Sequence, residues 1–154
     1  MMNLSHTTGY AIQALGCLND PGGSYCMIAE VARCARLPKP YLAKIINALV
    51  GQGLVTAKRG YRGGVALARK PEEISLLQVV EAVEGKAWLG ECLLGLDECA
   101  SRTVCPTHKF WQRVRREITE ELRKTSLAEV IACKQAKCPQ KQRRKRAARS
   151  ANVS

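Results

Sequence analysis

Residues 28–69, "IAEVARCARLPKPYLAKIINALVGQGLVTAKRGYRGGVALAR", decide the fold. Apolar residues recur at helical spacing on both sides of "LPKP", and the second helix, from about Pro40 to Gln52, starts with a proline suited to a first helical turn. Two short helices joined by a tight turn predict a helix-turn-helix, whose second helix can read DNA. Strand-like runs at Leu54–Lys58 and Val65–Ala68 follow around a glycine-rich turn, which predicts a hairpin wing.

The same stretch is strongly basic. Residues 31–70 contain nine Lys and Arg and no Asp or Glu, a pattern typical of surfaces that meet phosphate. The alternative is a basic hairpin that is solvated and binds nothing. The absence of any acidic residue from this stretch favours contact with DNA. The predicted DNA-binding residues of the second helix and the wing are Lys39, Tyr41, Lys44, Lys58, Arg59 and Arg62.

Length and charge set limits on the whole chain. A chain of 154 residues suits one compact core with an appended helix or tail. Of the formal net charge of +12, residues 134–154 supply +8, so that the tail carries most of the positive charge.

The N-terminus lacks a signal-peptide pattern and no apolar run is long enough to span a bilayer, so we expect a cytoplasmic protein that is not in a membrane. No nucleophile-elbow or phosphate-loop motif is present, so we expect no enzyme and no small-molecule substrate.

Helical patterns flank the predicted winged domain. Ser5–Leu18 suits an amphipathic first helix, and Ser75 with Gln78 forms a capping box for a helix that ends at Gly85. Thr107–Lys124 predicts a long helix with one narrow apolar seam, and a second capping box at Ser126 begins a short helix through about Cys133. The seam packs either on the chain's own core or on a second copy, and we favour a homodimer formed through Trp111, Val114, Ile118 and Leu122.

The predicted fold class is therefore mainly α with a small β-hairpin wing. We divide the chain into a winged helix-turn-helix domain (1–85), a cysteine-rich loop (86–106), a dimerisation helix with a terminal helix (107–133) and a basic tail (134–154) that we expect to be disordered.

Residues 92–108 combine three cysteines with one of the chain's two histidines. In a reducing compartment clustered cysteines indicate metal or redox chemistry more often than disulfides. The thiolates of Cys92, Cys99 and Cys105 with the imidazole of His108 suit an iron-sulfur cluster or zinc, and the residues alone do not choose between them. A thiol redox switch without any metal is a further alternative.

The other cysteines are expected to play smaller parts. We predict Cys17, Cys26 and Cys34 to be isolated small hydrophobic residues. Cys133 and Cys138 border the tail, have no third ligand near them in sequence, and are left outside the site.

Residues 4–131 resemble the IscR/NsrR-type winged-helix regulators, transcription factors that sense iron-sulfur clusters. The segments that carry the resemblance are the helix-turn-helix and wing quoted above, "LSHTTGYAIQAL", "ISLLQVVEAVEG" and "CPTHKFW". The resemblance implies a cytoplasmic homodimer whose cluster state controls binding to a double-stranded DNA operator. It also implies that Cys92, Cys99, Cys105 and His108 ligate the cluster, a two-iron two-sulfur cluster being favoured and a four-iron four-sulfur cluster possible. Relatives with a carboxylate ligand carry Asp before the first-helix Tyr, whereas Gly9 precedes Tyr10 here, which adds weight to His108.

Overall fold

The computed structural model describes residues 4–18, 23–96 and 105–136. Its helices and strands follow in the order α1 His6–Cys17, α2 Ile28–Ala35, α3 Lys39–Gly51, β1 Val55–Lys58, β2 Gly64–Leu67, α4 Leu76–Glu84, α5 His108–Lys124 and α6 Leu127–Ala136, with a 3₁₀ turn at Pro71–Glu73 between β2 and α4. The predicted fold class, mainly helical with one hairpin wing, is confirmed.

The helix-turn-helix consists of α2 and α3. Helix α2 ends where Arg36 takes a left-handed conformation with φ of 55°, and Pro38 precedes the first residue of α3. Pro40 fits the first turn of α3, where a backbone N–H has no helical partner. The apolar face of α3 is fully buried against α1, α2 and α4 through Leu42, Ile45, Ile46 and Leu49. Burial of this face leaves the opposite side of α3 in solvent.

The wing is a two-stranded antiparallel hairpin in which Val55 pairs with Leu67 and Lys58 pairs with Gly64. The segment before α2 joins its edge, since the N–H of Cys26 donates to the Val65 carbonyl at 2.9 Å and the N–H of Val65 donates to the Cys26 carbonyl at 2.8 Å. A Cβ atom at Gly64 would collide with the Cys26 carbonyl group, so this close approach requires glycine. The base of the wing is thereby fixed to the helix-turn-helix.

Both predicted capping boxes are present. The Ser75 hydroxyl accepts from the Gln78 N–H at 3.2 Å, and the Ser126 hydroxyl accepts from the Glu129 N–H at 3.3 Å. The two capped helices start side by side, because the Leu127 N–H donates to the Ile74 carbonyl at 2.7 Å.

Helix α6 returns to the core of the winged domain. Leu127 is fully buried and Ile131 nearly so, and both belong to the same apolar cluster as Leu15 and Ile46. A Cγ atom of Ile131 lies 3.8 Å from the position that a Cβ would take at Gly16 on α1. Burial of one such side chain stabilises the fold by about 1.5–3 kcal/mol, so α6 contributes to the stability of the winged domain itself.

The prediction for two of the isolated cysteines was wrong. Cys17, at the end of α1, and Cys34, in the last turn of α2, form a disulfide with their Cα atoms 6.1 Å apart. Sequence spacing gives no sign of this pair, because the contact arises from the packing of α1 on α2. Cys26 is half-buried and packs against the core, as predicted. Cys133 is exposed on α6, and Cys138 lies outside the described residues.

Candidate nucleic-acid interface and cysteine loop

The exposed side of α3 carries two of the predicted DNA-binding residues. Lys39 and Lys44 are exposed, but Tyr41 is half-buried. The Tyr41 hydroxyl lies 2.8 Å from the Thr7 hydroxyl on α1, and its ring meets the edge of Tyr10 with centroids 5.8 Å apart. Tyr41 therefore holds the start of α3 against α1, a positioning role that the sequence did not indicate.

The wing presents three exposed cations, Lys58, Arg59 and Arg62. Arg62 takes a left-handed conformation with φ of 58°, and its guanidinium lies 5.5 Å from the centroid of the Tyr61 ring. Tyr61 itself is 89% exposed. The sequence reasoning did not single out this tyrosine, although an aromatic residue between two arginines at a predicted wing tip is a usable signal for contact with nucleic acid.

The five exposed cations form what we term the basic face: Lys39, Lys44, Lys58, Arg59 and Arg62. Within the described parts of the chain, none of them makes an ion pair with a carboxylate. Strand β1 packs against α3, so the wing adjoins the helix. Unneutralised cations on two adjoining elements can contact phosphates on a duplex while side chains at the start of α3 reach base edges.

The cysteine loop begins and ends near the first turn of α5. The Trp111 side chain is 7% exposed, and its indole N–H donates to the Gly90 carbonyl at 2.8 Å. Cys92 lies two residues after this anchor, and Cys105 lies two residues before Thr107, the N-cap of α5. One aromatic side chain thus ties the start of the loop to the helix at which the loop ends.

The predicted ligands that the structure describes lie at these two ends. Cys92 and Cys105 are half-buried, and the Cys105 sulfur lies 3.3 Å from the Thr107 hydroxyl. His108 is the first residue of α5, and its Nε2 lies 2.8 Å from the side-chain nitrogen of Gln112 one turn later. Which of the two groups donates in this contact depends on the tautomer of His108.

The donor types fit an iron-sulfur cluster, but the geometry is incomplete. Over residues 4–18, 23–96 and 105–136, no group of three His, Cys, Asp or Glu side chains is gathered so as to hold a metal ion. Cys99, the third predicted thiolate ligand, lies outside the described residues. Two half-buried cysteines and a histidine at the ends of one anchored loop are nevertheless the soft and borderline ligands that clusters take.

The predicted α5 seam divides into two parts. Trp111 is buried within its own chain and offers little surface to a partner. Val114, Ile118 and Leu122 are half-buried on a helix where Trp111 is the one buried residue. Pairing with a second copy through these positions stays a prediction.

Helix α4 links the cysteine loop to the first helix of the winged domain. The carboxylate of Glu84, the last residue of α4, accepts hydrogen bonds from the hydroxyls of Ser5 and Thr8, the latter at 2.6 Å. Burial raises the pKa of Glu84, but the hydrogen bonds from Ser5 and Thr8 outweigh it and hold the pKa below its ordinary value. Gly85, the residue that follows Glu84, caps the end of α4 immediately before the cysteine loop.

None of the helices in the described ranges is long and apolar enough to cross a membrane.

Sequence comparison adds a family assignment. Residues 4–133 match the family model of Rrf2, described as an iron-dependent transcriptional regulator. The chain is 31% identical over 143 residues to the HTH-type transcriptional regulator IscR of Cereibacter sphaeroides, an alignment that covers 90% of this chain and 92% of the relative. It is 30% identical over 133 residues to a putative HTH-type transcriptional regulator of Aquifex aeolicus, covering 84% and 92% of the two chains.

Solved structures support the same assignment. T. potens IscR superposes with a TM-score of 0.67 at 26% identity, over 89% of this chain and 91% of that chain. CymR, the global cysteine regulator of B. subtilis, superposes with a TM-score of 0.66 at 25% identity, over 86% and 98%. A family match across most of the chain and the shared winged-helix fold agree, and the chain therefore belongs to the Rrf2 family of transcriptional regulators.

Proposed function

We propose that this protein is a homodimeric, cytoplasmic transcriptional regulator whose binding to a DNA operator is controlled by an iron-sulfur cluster. Cys92, Cys99, Cys105 and His108 would hold the cluster. Support comes from the donor set of the cysteine loop, from the family description as iron-dependent and from the likeness to proteins named IscR. A two-iron two-sulfur cluster is favoured, because Gly9 removes the carboxylate that some four-iron relatives use.

The observation that carries the proposal is the hydrogen bond from Trp111 to Gly90. It ties Gly90, two residues before Cys92, to a side chain of α5 that lies three residues after His108. A loop closed in this way can offer ligands from several directions to one small site. A histidine in place of one thiolate raises the reduction potential of a bound cluster and makes that ligand sensitive to protonation.

The chain's own contacts give a route from the loop to the DNA-binding elements. The loop follows α4 directly, and α4 packs on α1, α3 and α5. Glu84 at the end of α4 accepts hydrogen bonds from the first turn of α1, and Tyr41 joins that same turn to α3. A change in how the loop holds α5 against α4 would therefore act on the position of α3. Such a connection would be a two-state element that ligand binding at the loop biases.

Dimerisation would set the spacing of the two DNA-reading units. Helix α5 has 17 residues, and Val114, Ile118 and Leu122 leave a half-buried apolar line on it between charged flanks. Pairing of α5 with its own copy would bury this line and present two basic faces to one duplex. Twofold readers of this kind place their recognition helices about one DNA turn apart, roughly 34 Å.

The first experiment tests the cluster. Protein purified without oxygen is expected to be coloured and to contain iron and acid-labile sulfide in equal amounts, whereas a zinc protein would be colourless. Cys92→Ala, Cys99→Ala and Cys105→Ala should each abolish the visible absorption, and His108→Ala should leave an altered or labile cluster. Cys133→Ala is the matched control, since Cys133 is exposed on α6 and outside the loop.

Full colour and iron content in all three loop-cysteine variants would overturn the proposal. A colourless wild type containing one zinc per chain would favour the zinc alternative. A colourless protein without zinc, in which the loop thiols oxidise, would favour the thiol switch.

The second experiment tests DNA control. Duplexes selected from a random pool by the anaerobic protein serve as the probe, and fluorescence anisotropy at one fixed salt concentration measures affinity before and after chelation of the iron. We expect affinity or sequence preference to change on cluster loss. Identical affinities and selected sequences in both states would remove the cluster from regulation while leaving DNA binding intact.

A further inference from the structure

The Cys17–Cys34 disulfide joins two helices of the winged domain and lies outside the cysteine loop in sequence. It connects the last residue of α1 to the last turn of α2. The Cα separation of 6.1 Å lies within the ordinary range for disulfides, so α1 and α2 need not move apart or together to form the bond. The helix packing alone presents the two sulfurs to each other.

The two cysteines differ in their access to solvent. Cys34 is exposed, whereas Cys17 is half-buried and packs against the apolar core. Oxidation of thiols follows exposure, and redox-sensing cysteines are often placed beside a second cysteine that resolves the first oxidation product. The pair has this arrangement, with Cys34 as the outer thiol and Cys17 as the inner one.

A disulfide at this position in a cytoplasmic regulator is not expected to be a permanent cross-link. Disulfides in a reducing compartment are mostly transient and are formed for catalysis or redox sensing. We propose that Cys17 and Cys34 are a reversible, hydroperoxide-responsive thiol pair that modifies DNA binding independently of the cysteine loop. The expected reversibility in a reducing compartment and the DNA readout rest on the proposed function, whereas the oxidation chemistry of the pair does not.

The chemistry balances with a hydroperoxide as the oxidant. The Cys34 thiolate attacks one peroxide oxygen, an S–O bond forms, the O–O bond breaks, and the leaving oxygen takes a proton to become water or an alcohol. The Cys17 thiolate then attacks the Cys34 sulfur, the S–S bond forms, and the hydroxyl group leaves as water with the proton from Cys17. Two thiols lose two electrons, and the peroxide gains them. A dithiol reductant restores both thiols by exchange.

The position of Cys34 explains how the bond reaches the DNA-binding surface. Arg36, two residues further on, takes the left-handed conformation that ends α2, and Lys39 begins α3. Oxidation therefore clamps the end of α2 to α1 immediately before the turn that sets the direction of α3. The disulfide restricts the motion of α3 before DNA binds, so α3 loses less conformational entropy on binding. We therefore expect the oxidised form to bind DNA more tightly than the reduced form.

The test of the chemistry uses the reduced full-length protein and hydrogen peroxide. Mass spectrometry of a non-reducing digest should show the two cysteine peptides joined and lighter by two hydrogens. Cys17→Ser should stop at a sulfenic acid on Cys34 that dimedone traps, and Cys34→Ser should leave Cys17 about tenfold or more slower to react. Cys133→Ser, which removes an exposed thiol on α6, should react as the wild type does.

The proposal would be overturned if peroxide oxidised Cys17 and Cys34 at equal rates. It would also be overturned if the pair stayed reduced while Cys133 was oxidised. A disulfide that a dithiol cannot reduce in the folded protein would show a permanent structural bond and would overturn it as well.

The test of regulation measures DNA affinity by anisotropy after peroxide and again after addition of a dithiol. A dithiol reverses a disulfide but does not rebuild a destroyed cluster, so the reversible part of the response reports the pair. We expect that part to be about threefold or more in the wild type, to persist in Cys105→Ala and to vanish in Cys17→Ser/Cys34→Ser. A reversible response that survives in the double serine variant would refute the pair as its source without touching the cluster proposal. Loss of only the irreversible part in Cys105→Ala would support both proposals separately.

Discussion

Trp111→Phe should loosen the attachment of the cysteine loop to α5. The substitution keeps an aromatic ring in a site that is 7% exposed and deletes the N–H that donates to the Gly90 carbonyl at 2.8 Å. The lost hydrogen bond costs about 1 kcal/mol. The smaller ring leaves a cavity of about 40 Å³, which at roughly 24 cal/mol per Å³ costs about 1 kcal/mol more.

The sum of about 2 kcal/mol corresponds to a fall in melting temperature of roughly 4–8 °C for a chain of this length, measurable by calorimetry of the apoprotein. On the proposed function, the cluster of Trp111→Phe should also decay several times faster in air, followed by its visible absorption. Trp88→Phe is the matched control, because Trp88 is half-buried in the same loop and its described hydrogen bond is made by its backbone N–H. An unchanged melting temperature together with a wild-type decay rate would refute the anchoring role of Trp111.

Three further changes test the DNA face, the dimer and the contact between α4 and α1. Arg59→Ala should weaken binding to a selected duplex by roughly 1–3 kcal/mol at fixed salt if the wing enters a groove. Ile118→Asp should dissociate the dimer in sedimentation experiments at micromolar concentration, because pairing would bury an unpaired charge. Glu84→Gln should make the free energy of unfolding fall less steeply as the pH is lowered. Because the folded protein lowers the pKa of Glu84 from its ordinary value of 4.5, its carboxylate contributes stability that is fully present above pH 4.5. That contribution is lost as the pH falls through the lowered pKa.

Each of these changes has a control. Arg69→Ala removes an exposed cation just after β2, away from the wing tip, and should cost less affinity than Arg59→Ala. Ile118→Leu keeps the apolar seam and should stay dimeric, whereas a wild-type monomer would contradict the dimer itself. Glu81→Gln alters another carboxylate of α4, for which no hydrogen bond to α1 is described. If both variants lost stability equally at acid pH, the effect could not be assigned to Glu84.

Local signals in the sequence predicted the elements and their ends with good accuracy. The proline-started α3, the glycine-rich wing and the capping boxes at Ser75 and Ser126 depend on residues a few positions apart, so a sequence pattern can carry them. The basic face was also predictable, because an acid-free run of forty residues cannot neutralise its own charge whatever its fold. The prediction that the loop offers thiolate and imidazole donors rests on composition and spacing in the same way.

Only the tertiary structure decided which distant residues meet. The sulfurs of Cys17 and Cys34, 17 positions apart, come together because α1 packs on α2. The Trp111 indole meets the Gly90 carbonyl across 21 positions because the segment at Gly90 lies against α5. Tyr41, predicted from its place on the recognition helix to contact DNA, also has its hydroxyl within hydrogen-bond distance of the Thr7 hydroxyl, 34 positions away. Helix α6, grouped by sequence order with α5, packs in the winged core, where Leu127 and Ile131 are removed from water. Periodicity reports which face of an element is apolar, and the partner of that face is set by the packing of the whole chain.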